Sequence, residues 1–73
     1  MQKAYNIQNV NFVDNCIIIV FDNQTVSFPL VQVSDKLVRA TERERLNYTI
    51  SPSGYGIHWP LLDEDLSING LLK

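Results

Sequence analysis

The stretch Cys16-Ile17-Ile18-Ile19-Val20-Phe21 is six apolar residues long, and four of them are β-branched. Such residues favour strands, and an apolar run without alternation is typical of a strand that is covered on both faces. Asp14-Asn15 precedes the run and Asp22-Asn23-Gln24 follows it. Asp and Asn tolerate positive φ, so the chain can turn back on either side. We therefore predict that this run is the central strand of an antiparallel sheet.

The segments on either side complete a three-stranded meander. Val10 and Phe12 alternate with asparagines, and Thr25-Val26-Ser27-Phe28 alternates polar with apolar residues. This is the period of a half-buried strand. Pro29 should end the third strand, because proline cannot donate to the ladder.

The length of the chain limits how the central strand can be covered. Two short helices can cover one face, and few residues remain for the other. We expect either the C-terminal segment or a second copy of the chain to cover it, the latter as a homodimer formed by sheet packing or edge pairing.

Two short helices are predicted in the middle of the chain. Ser34 can cap a helix over Asp35–Ala40. Thr41-Glu42-Arg43-Glu44 is a capping box, which should start a second helix that presents Leu46. Asn47 can end that helix in the left-handed conformation.

The C-terminal third predicts further strands. Tyr48-Thr49-Ile50-Ser51 is followed by a turn at Pro52-Ser53-Gly54 and by a second alternating segment, Tyr55–Trp59. Leu66-Ser67-Ile68 is a short candidate strand, and Asn69-Gly70 a candidate turn.

The predicted fold class is α+β, in a single domain over residues 1–73. A small antiparallel β-sheet, made of the N-terminal three-stranded meander and the C-terminal strands, carries two short helices packed on it. The composition agrees, with 45% hydrophobic and 19% charged residues in 73, which is a globular balance for one domain.

Charge and cysteine content exclude several classes of function. The net charge is −2, whereas a duplex-binding domain is usually basic, so no direct nucleic-acid partner is expected. An apolar run of six residues is far short of the roughly 20 that a membrane helix needs, and the N-terminus lacks an apolar signal region. A single cysteine excludes an internal disulfide. Together these features predict a cytoplasmic protein.

Ser53–Pro60 contains the only histidine and the only tryptophan of the chain, and an acidic run follows it. The candidate binding residues are Tyr55, His58, Trp59, Asp63, Glu64 and Asp65. An exposed Trp and Tyr beside charges is typical of a protein–protein anchor. The alternative is that Tyr55, Ile57 and Trp59 share one strand face and form the core.

Three chemical interpretations of this segment are weaker. A phosphate loop needs glycines before a helix, but here Gly54 and Gly56 lie in or beside an apparent strand. A metal site would have to combine His58 with the acidic run, whereas the usual facial triad needs two histidines. Nucleophilic catalysis would need Cys16, which lies in an apolar strand where a buried, inert thiol is expected. We therefore predict no catalytic residue, no metal and no cofactor.

A basic cluster lies on the two predicted helices, interleaved with acidic residues. Its members are Lys36, Arg39, Arg43 and Arg45. A solvated helix face is the simplest interpretation. Arg39 and Arg43 are four apart, so they can still present a weak positive patch to an acidic partner or a phosphate.

The C-terminal residues closely resemble a family signature. The segments that carry it are Ser51-Pro52-Ser53-Gly54-Tyr55-Gly56-Ile57-His58-Trp59-Pro60, Leu62-Asp63-Glu64-Asp65-Leu66-Ser67-Ile68 and Gly70-Leu71-Leu72. They resemble the bacterial family known as domain of unknown function 2442, and the resemblance covers nearly the whole chain. One departure is Asp22-Asn23-Gln24, where members more often have Asp-Gly.

The resemblance implies a small α+β fold and no particular activity. Longer members carry a helix-turn-helix domain, which implies a sensing or dimerising role. Short members are often encoded beside another small protein, in a pair similar to a toxin–antitoxin arrangement. The resemblance transfers no catalytic residue.

We therefore expect a non-enzymatic interaction or regulatory module that serves as the antitoxin-like or accessory partner of a co-encoded small protein. The alternative is a small-ligand-sensing domain that uses Gly54–Pro60, where the two glycines let a ligand approach the backbone.

Overall fold

The structure is a computed structural model that describes residues 6–51 and 54–72. Within these ranges the chain forms two three-stranded antiparallel sheets and four short helices. In chain order the elements are β1 (Ile7–Val13), β2 (Cys16–Phe21), β3 (Gln24–Pro29), α1 (Leu30–Val33), α2 (Asp35–Arg39), α3 (Glu42–Leu46), β4 (Thr49–Ile50), β5 (Gly56–Trp59), β6 (Glu64–Ser67) and α4 (Ile68–Leu71). No helix in the described ranges is long and apolar enough to cross a membrane.

The first sheet has the order β1-β2-β3, as the sequence predicts. Asp14 and Asn15 connect β1 to β2 with φ of 51° and 62°, and Asp22 and Asn23 connect β2 to β3 with φ of 48° and 62°. Two successive positive φ values make a type I′ turn, whose twist matches that of the strands. Asp and Asn therefore determine the hairpins through backbone conformation.

The central strand β2 is fully buried on one face. Ile17, Ile19 and Phe21 are at most 3% exposed. The side chains of the opposite face, Cys16, Ile18 and Val20, are half-buried. The helices and the second sheet pack on the same inner face, because the core joins both sheets with Leu30 and Leu37. The expectation that the C-terminal segment covers the other face was wrong.

The two predicted helix starts are confirmed. Ser34 caps α2 by accepting from the amide of Leu37 over 3.2 Å. Thr41 and Glu44 form the reciprocal capping box of α3, at 3.2 Å and 2.8 Å.

Other features of the helical region differ from the prediction. The prediction missed α1, which follows Pro29 directly, whereas Pro29 is the last residue of β3, as predicted. Asn47 has φ −95°, so it ends α3 without the left-handed conformation. α3 buries none of its residues in the core, and Leu46 is 57% exposed.

The C-terminal strands form a separate sheet of order β4-β5-β6. Its last strand begins at Glu64, two residues earlier than predicted, and Asn69-Gly70 lies in α4. The predicted turn at Pro52-Ser53-Gly54 lies mostly outside the described residues. Ile57, Trp59 and Leu66 bury their side chains against the first sheet. On the other face of this sheet His58 is half-buried, and Asp65 and Ser67 are exposed.

Candidate functional site on the outer face of the second sheet

Three polar side chains form a row across the outer face of the second sheet. His58 on β5 lies opposite Thr49 on β4 and opposite Asp65 on β6. Nδ1 of His58 lies 2.7 Å from Oδ1 of Asp65, and the two side chains are 43% and 75% exposed. A carboxylate can only accept, so the proton of a neutral imidazole sits on Nδ1. Nε2 is then the nitrogen that an incoming group meets.

A groove of about 360 Å³ runs over this row. Thr49, Ser51, Tyr55, His58, Asp65 and Ser67 line it, with Gly56, Ile57 and Leu66 beneath. Tyr55 is 37% exposed. The groove therefore combines one aromatic ring, three hydroxyls and the imidazole–carboxylate pair.

Ser51 fixes the segment that carries Tyr55. Its Oγ accepts from the amides of Tyr55 and Gly56 over 2.9 Å and 3.1 Å. The amide of Ser51 donates to the carbonyl of Gly56 over 3.0 Å, and its carbonyl accepts from Gly54 over 2.9 Å. Ser51 was not predicted as a lining residue, although its place directly before a Pro-Ser-Gly turn favours side chain–backbone bonds.

The two glycines of the segment have separate structural roles. Gly54 has φ 72°, which glycine adopts without steric cost. A Cβ on Gly56 would lie 2.8 Å from the carbonyl oxygen of Leu66, so glycine lets β6 approach β5 closely. Neither glycine precedes a helix, so neither is placed as a phosphate loop requires.

The three residues of the acidic run make different contacts. Glu64 accepts from the hydroxyl of Ser34 over 2.5 Å and from the amide of Asp65 over 3.0 Å. Asp63 has φ 50°, and its carbonyl accepts from Nζ of Lys36 over 3.0 Å. Only Asp65 lines the groove, so the three acids do not form the single surface expected from the sequence.

Trp59 is a core residue. It is 0% exposed, and its Nε1 donates to the carbonyl of Arg45 over 2.9 Å. Its ring lies 6.4 Å from that of Phe12 and 6.1 Å from that of Tyr48, measured between centroids. The hypothesis that Trp59 is an exposed anchor was wrong. The core alternative is confirmed for Ile57 and Trp59, whereas Tyr55 remains at the surface.

The members of the basic cluster make different contacts. Arg45 donates from Nε to the carbonyl of Leu37 over 2.9 Å and from a terminal nitrogen to that of Val38 over 3.1 Å. Arg39 pairs with Asp35 over 3.3 Å in an exposed i,i+4 bridge. Arg43 is exposed on α3. Such an exposed bridge contributes little to stability. The weak positive patch of Arg39 and Arg43 stays a prediction.

The residues of the weaker chemical interpretations lie apart. Cys16 belongs to the first sheet, on the face turned away from the core, whereas His58 lies on the outer face of the second sheet. In the part of the chain that the structure describes, no group of three or more His, Cys, Asp or Glu side chains could hold a metal ion.

A family model described as "Protein of unknown function (DUF2442)" matches residues 7–73. The chain belongs to the DUF2442 family. The resemblance seen in the sequence is thereby confirmed over almost the whole length.

The DUF2442 chain is also similar to a solved structure, the crystal structure of a protein of unknown function from Rhodospirillum rubrum ATCC 11170. The two share 28% sequence identity with a TM-score of 0.73, over 93% of this chain and 84% of that chain. No curated protein matches this DUF2442 chain. The comparisons therefore support the family and the fold.

The signature of this DUF2442 chain serves both sides of β5. Ile57 and Trp59 face the core, while His58 faces the groove. Alternate residues of this motif therefore face the core and the surface, because side chains on a strand point to opposite faces with a period of two residues.

Proposed function

We propose that this DUF2442 chain is a non-enzymatic binding module that contacts a small protein partner through the outer face of the second sheet. The observation that carries the proposal is the pairing of His58 with Asp65 in a groove edged by Tyr55. An exposed aromatic ring beside a few fixed polar groups is typical of binding hot spots.

The rigidity of the groove supports this use. Four backbone groups around Tyr55 are hydrogen-bonded to Ser51, and the strand that bears His58 is paired on both sides. Surfaces that are ordered before binding lose less conformational entropy when a partner arrives.

The polar chemistry of the groove favours a partner side chain that donates hydrogen bonds. Asp65 is an acceptor, and Nε2 of His58 is one too when the imidazole is neutral with its proton on Nδ1. Arg, Tyr and Trp combine donors with a flat surface that can pack on Tyr55, and they are the residues enriched in hot spots. The contact we propose is therefore one such side chain seated against Tyr55 and the His58–Asp65 pair.

The biological role in this proposal is regulatory and, in its most specific form, antitoxin-like. The family resemblance supports it, because short members are often encoded beside another small protein. The partner would then be a co-encoded protein that the groove holds.

Affinity capture with matched variants tests the proposal. Tagged wild-type protein, Tyr55→Ala and His58→Ala are incubated with nuclease-treated host lysate, and Gln32→Ala, an exposed change on α1, serves as control. We expect one small protein to be retained by wild type and control and lost by both groove variants. With the purified partner, each groove variant should raise Kd at least about tenfold. Equal retention by all four proteins would rule out the groove as the contact surface.

A small-ligand sensor is the second candidate, because a groove of about 360 Å³ lies within the range of roughly 300–1,000 Å³ that is common for ligand sites. A thermal-shift screen with a metabolite set separates the two functions, since a ligand that binds the native state raises Tm. A shift that disappears in His58→Ala would favour the sensor. An unchanged Tm with every metabolite, together with a captured partner, would favour the binding module.

A further inference from the structure

The outer face of the first sheet, which lies on β1, β2 and β3 away from the core, has an apolar centre. Ile18 lies between Asn11 on β1 and Ser27 on β3. In the next row Val20 lies between Asn9 on β1 and Thr25 on β3. Ile18 and Val20 are half-buried, although within the described residues no element packs over this face.

This face carries no ionisable side chain except the Cys16 thiol. Asp, Glu, Lys and Arg make up 14 of the 73 residues, as 8 acidic and 6 basic ones, and none of them lies in the rows of this face. Solvent-facing strands commonly carry charges that discourage association. Depletion of charge around an apolar centre is instead the composition of an interface core.

The charge distribution favours a second copy of the chain as the occupant. Each copy carries a net charge of −2, so most surfaces of two copies would repel weakly. The paired rows of the outer face of the first sheet can meet those of a second copy without a like-charge contact, since Asp14 and Asp22 lie in the turns at its ends. Two sheets with the same twist also pack face to face at about 10 Å and about −30°, with their side chains interdigitated.

We infer that the chain forms a two-fold dimer through the outer face of the first sheet, with Ile18 and Val20 of both copies at its centre. Three strands of six residues span about 14 by 20 Å, or about 300 Å² per copy. A stable complex buries about 800 Å² per partner, so this dimer is weak and forms only at high concentration. The groove with His58 lies on the other sheet and stays open in the dimer.

Sedimentation equilibrium from about 10 µM to about 1 mM tests the inference, because weak interfaces assemble in this range. The mass should rise from 8.4 kDa towards twice that value. Ile18→Lys, which acts twice in a symmetric dimer, should raise the dissociation constant at least about tenfold. Gln32→Lys adds the same charge at an exposed site of α1 and should associate like wild type. A wild type that stays monomeric, or an Ile18→Lys variant that associates like wild type, overturns the inference.

The thiol of Cys16 reports on the same face without a substitution. Cys16 lies at the end of the apolar column and is a half-buried free thiol. Its rate constant for reaction with a maleimide should fall as the concentration rises and the dimer forms. If the maleimide rate constant does not change over the concentration range in which the mass doubles, the dimer forms through another surface. If the mass itself stays constant, no dimer forms, and a different protein would have to cover this face. Either outcome overturns the inference, even if Ile18→Lys fails to fold.

Discussion

The indole Nε1 of Trp59 donates to the backbone carbonyl of Arg45 over 2.9 Å. The guanidinium of the same Arg45 donates to two carbonyls at the end of α2 and lies 5.8 Å from the centroid of the Phe12 ring. Arg45 thus joins α2, α3 and both sheets. Trp59 connects the second sheet to Arg45, so its replacement should lower the free energy of unfolding of the whole domain.

Trp59→Phe should lower the free energy of unfolding by about 1–3 kcal/mol, because it removes the hydrogen bond to Arg45 and part of the packing on Phe12. Urea unfolding followed by circular dichroism measures this change. Tyr55→Phe, at a side chain that is 37% exposed, is the matched control and should shift stability by less than about 0.5 kcal/mol. Equal effects of the two substitutions would contradict the central position of Trp59.

Ser34 and Glu64 should behave as a coupled pair. The Ser34 hydroxyl donates to Glu64 and accepts from the amide of Leu37, so it connects the start of α2 to β6. Ser34→Ala should cost about 1–2 kcal/mol, because it removes the helix cap and leaves Glu64 without this donor. A double-mutant cycle with Glu64→Ala should give a coupling free energy of about 0.5–3 kcal/mol. Simple additivity would show that the contact does not stabilise the fold.

The two glycines of the second sheet and α4 should respond in opposite directions to alanine. In Gly56→Ala the new Cβ would lie 2.8 Å from the carbonyl of Leu66, so β5 and β6 must separate. We expect a loss of more than about 1 kcal/mol. In Gly70→Ala the nearest atom is the Ser67 Cβ at 3.6 Å, and alanine should stabilise α4 by up to about 1 kcal/mol. Thermal unfolding of both variants measures the contrast, and a stabilising Gly56→Ala would contradict the close approach.

Asp65→Asn should leave the fold almost unchanged. The carboxylate is 75% exposed and its histidine partner 43% exposed, so solvent screens the pair, which contributes less than about 1 kcal/mol. Urea unfolding should therefore give nearly the same midpoint as wild type. In the capture experiment the same variant should bind the partner more weakly, since Asn cannot hold Nδ1 of His58 with the same charge. A large loss of stability would mean that Asp65 serves the fold and not the groove.

Local sequence signals predicted the elements that depend on neighbouring residues. Asp14-Asn15 and Asp22-Asn23 set the two hairpins, because their positive φ values are local backbone preferences. Ser34 and the Thr41–Glu44 box set two helix starts through bonds over three residues. The fold class and the family followed from these signals and from the C-terminal signature.

The candidate site was predicted only in part, because its residues depend on contacts between distant elements. A strand period places Trp59 and His58 on opposite faces, but it does not say which face is buried. Glu64 is drawn inward by Ser34, which lies 30 residues earlier, while Asp65 beside it stays outside. Nothing in the sequence between these positions reports that pairing.

The sequence by itself determined the hairpins, the helix caps and the alternation of side chains along each strand, since all three are set by torsion preferences and short-range hydrogen bonds. The tertiary structure alone decided that the C-terminal strands form their own sheet, that the helices and this sheet share one face of β2, and that Trp59 lies inside. The physical reason is that burial is a property of two surfaces that meet. A chain of 73 residues can cover one face of its central strand fully, and the choice of that face is made only when its parts pack together.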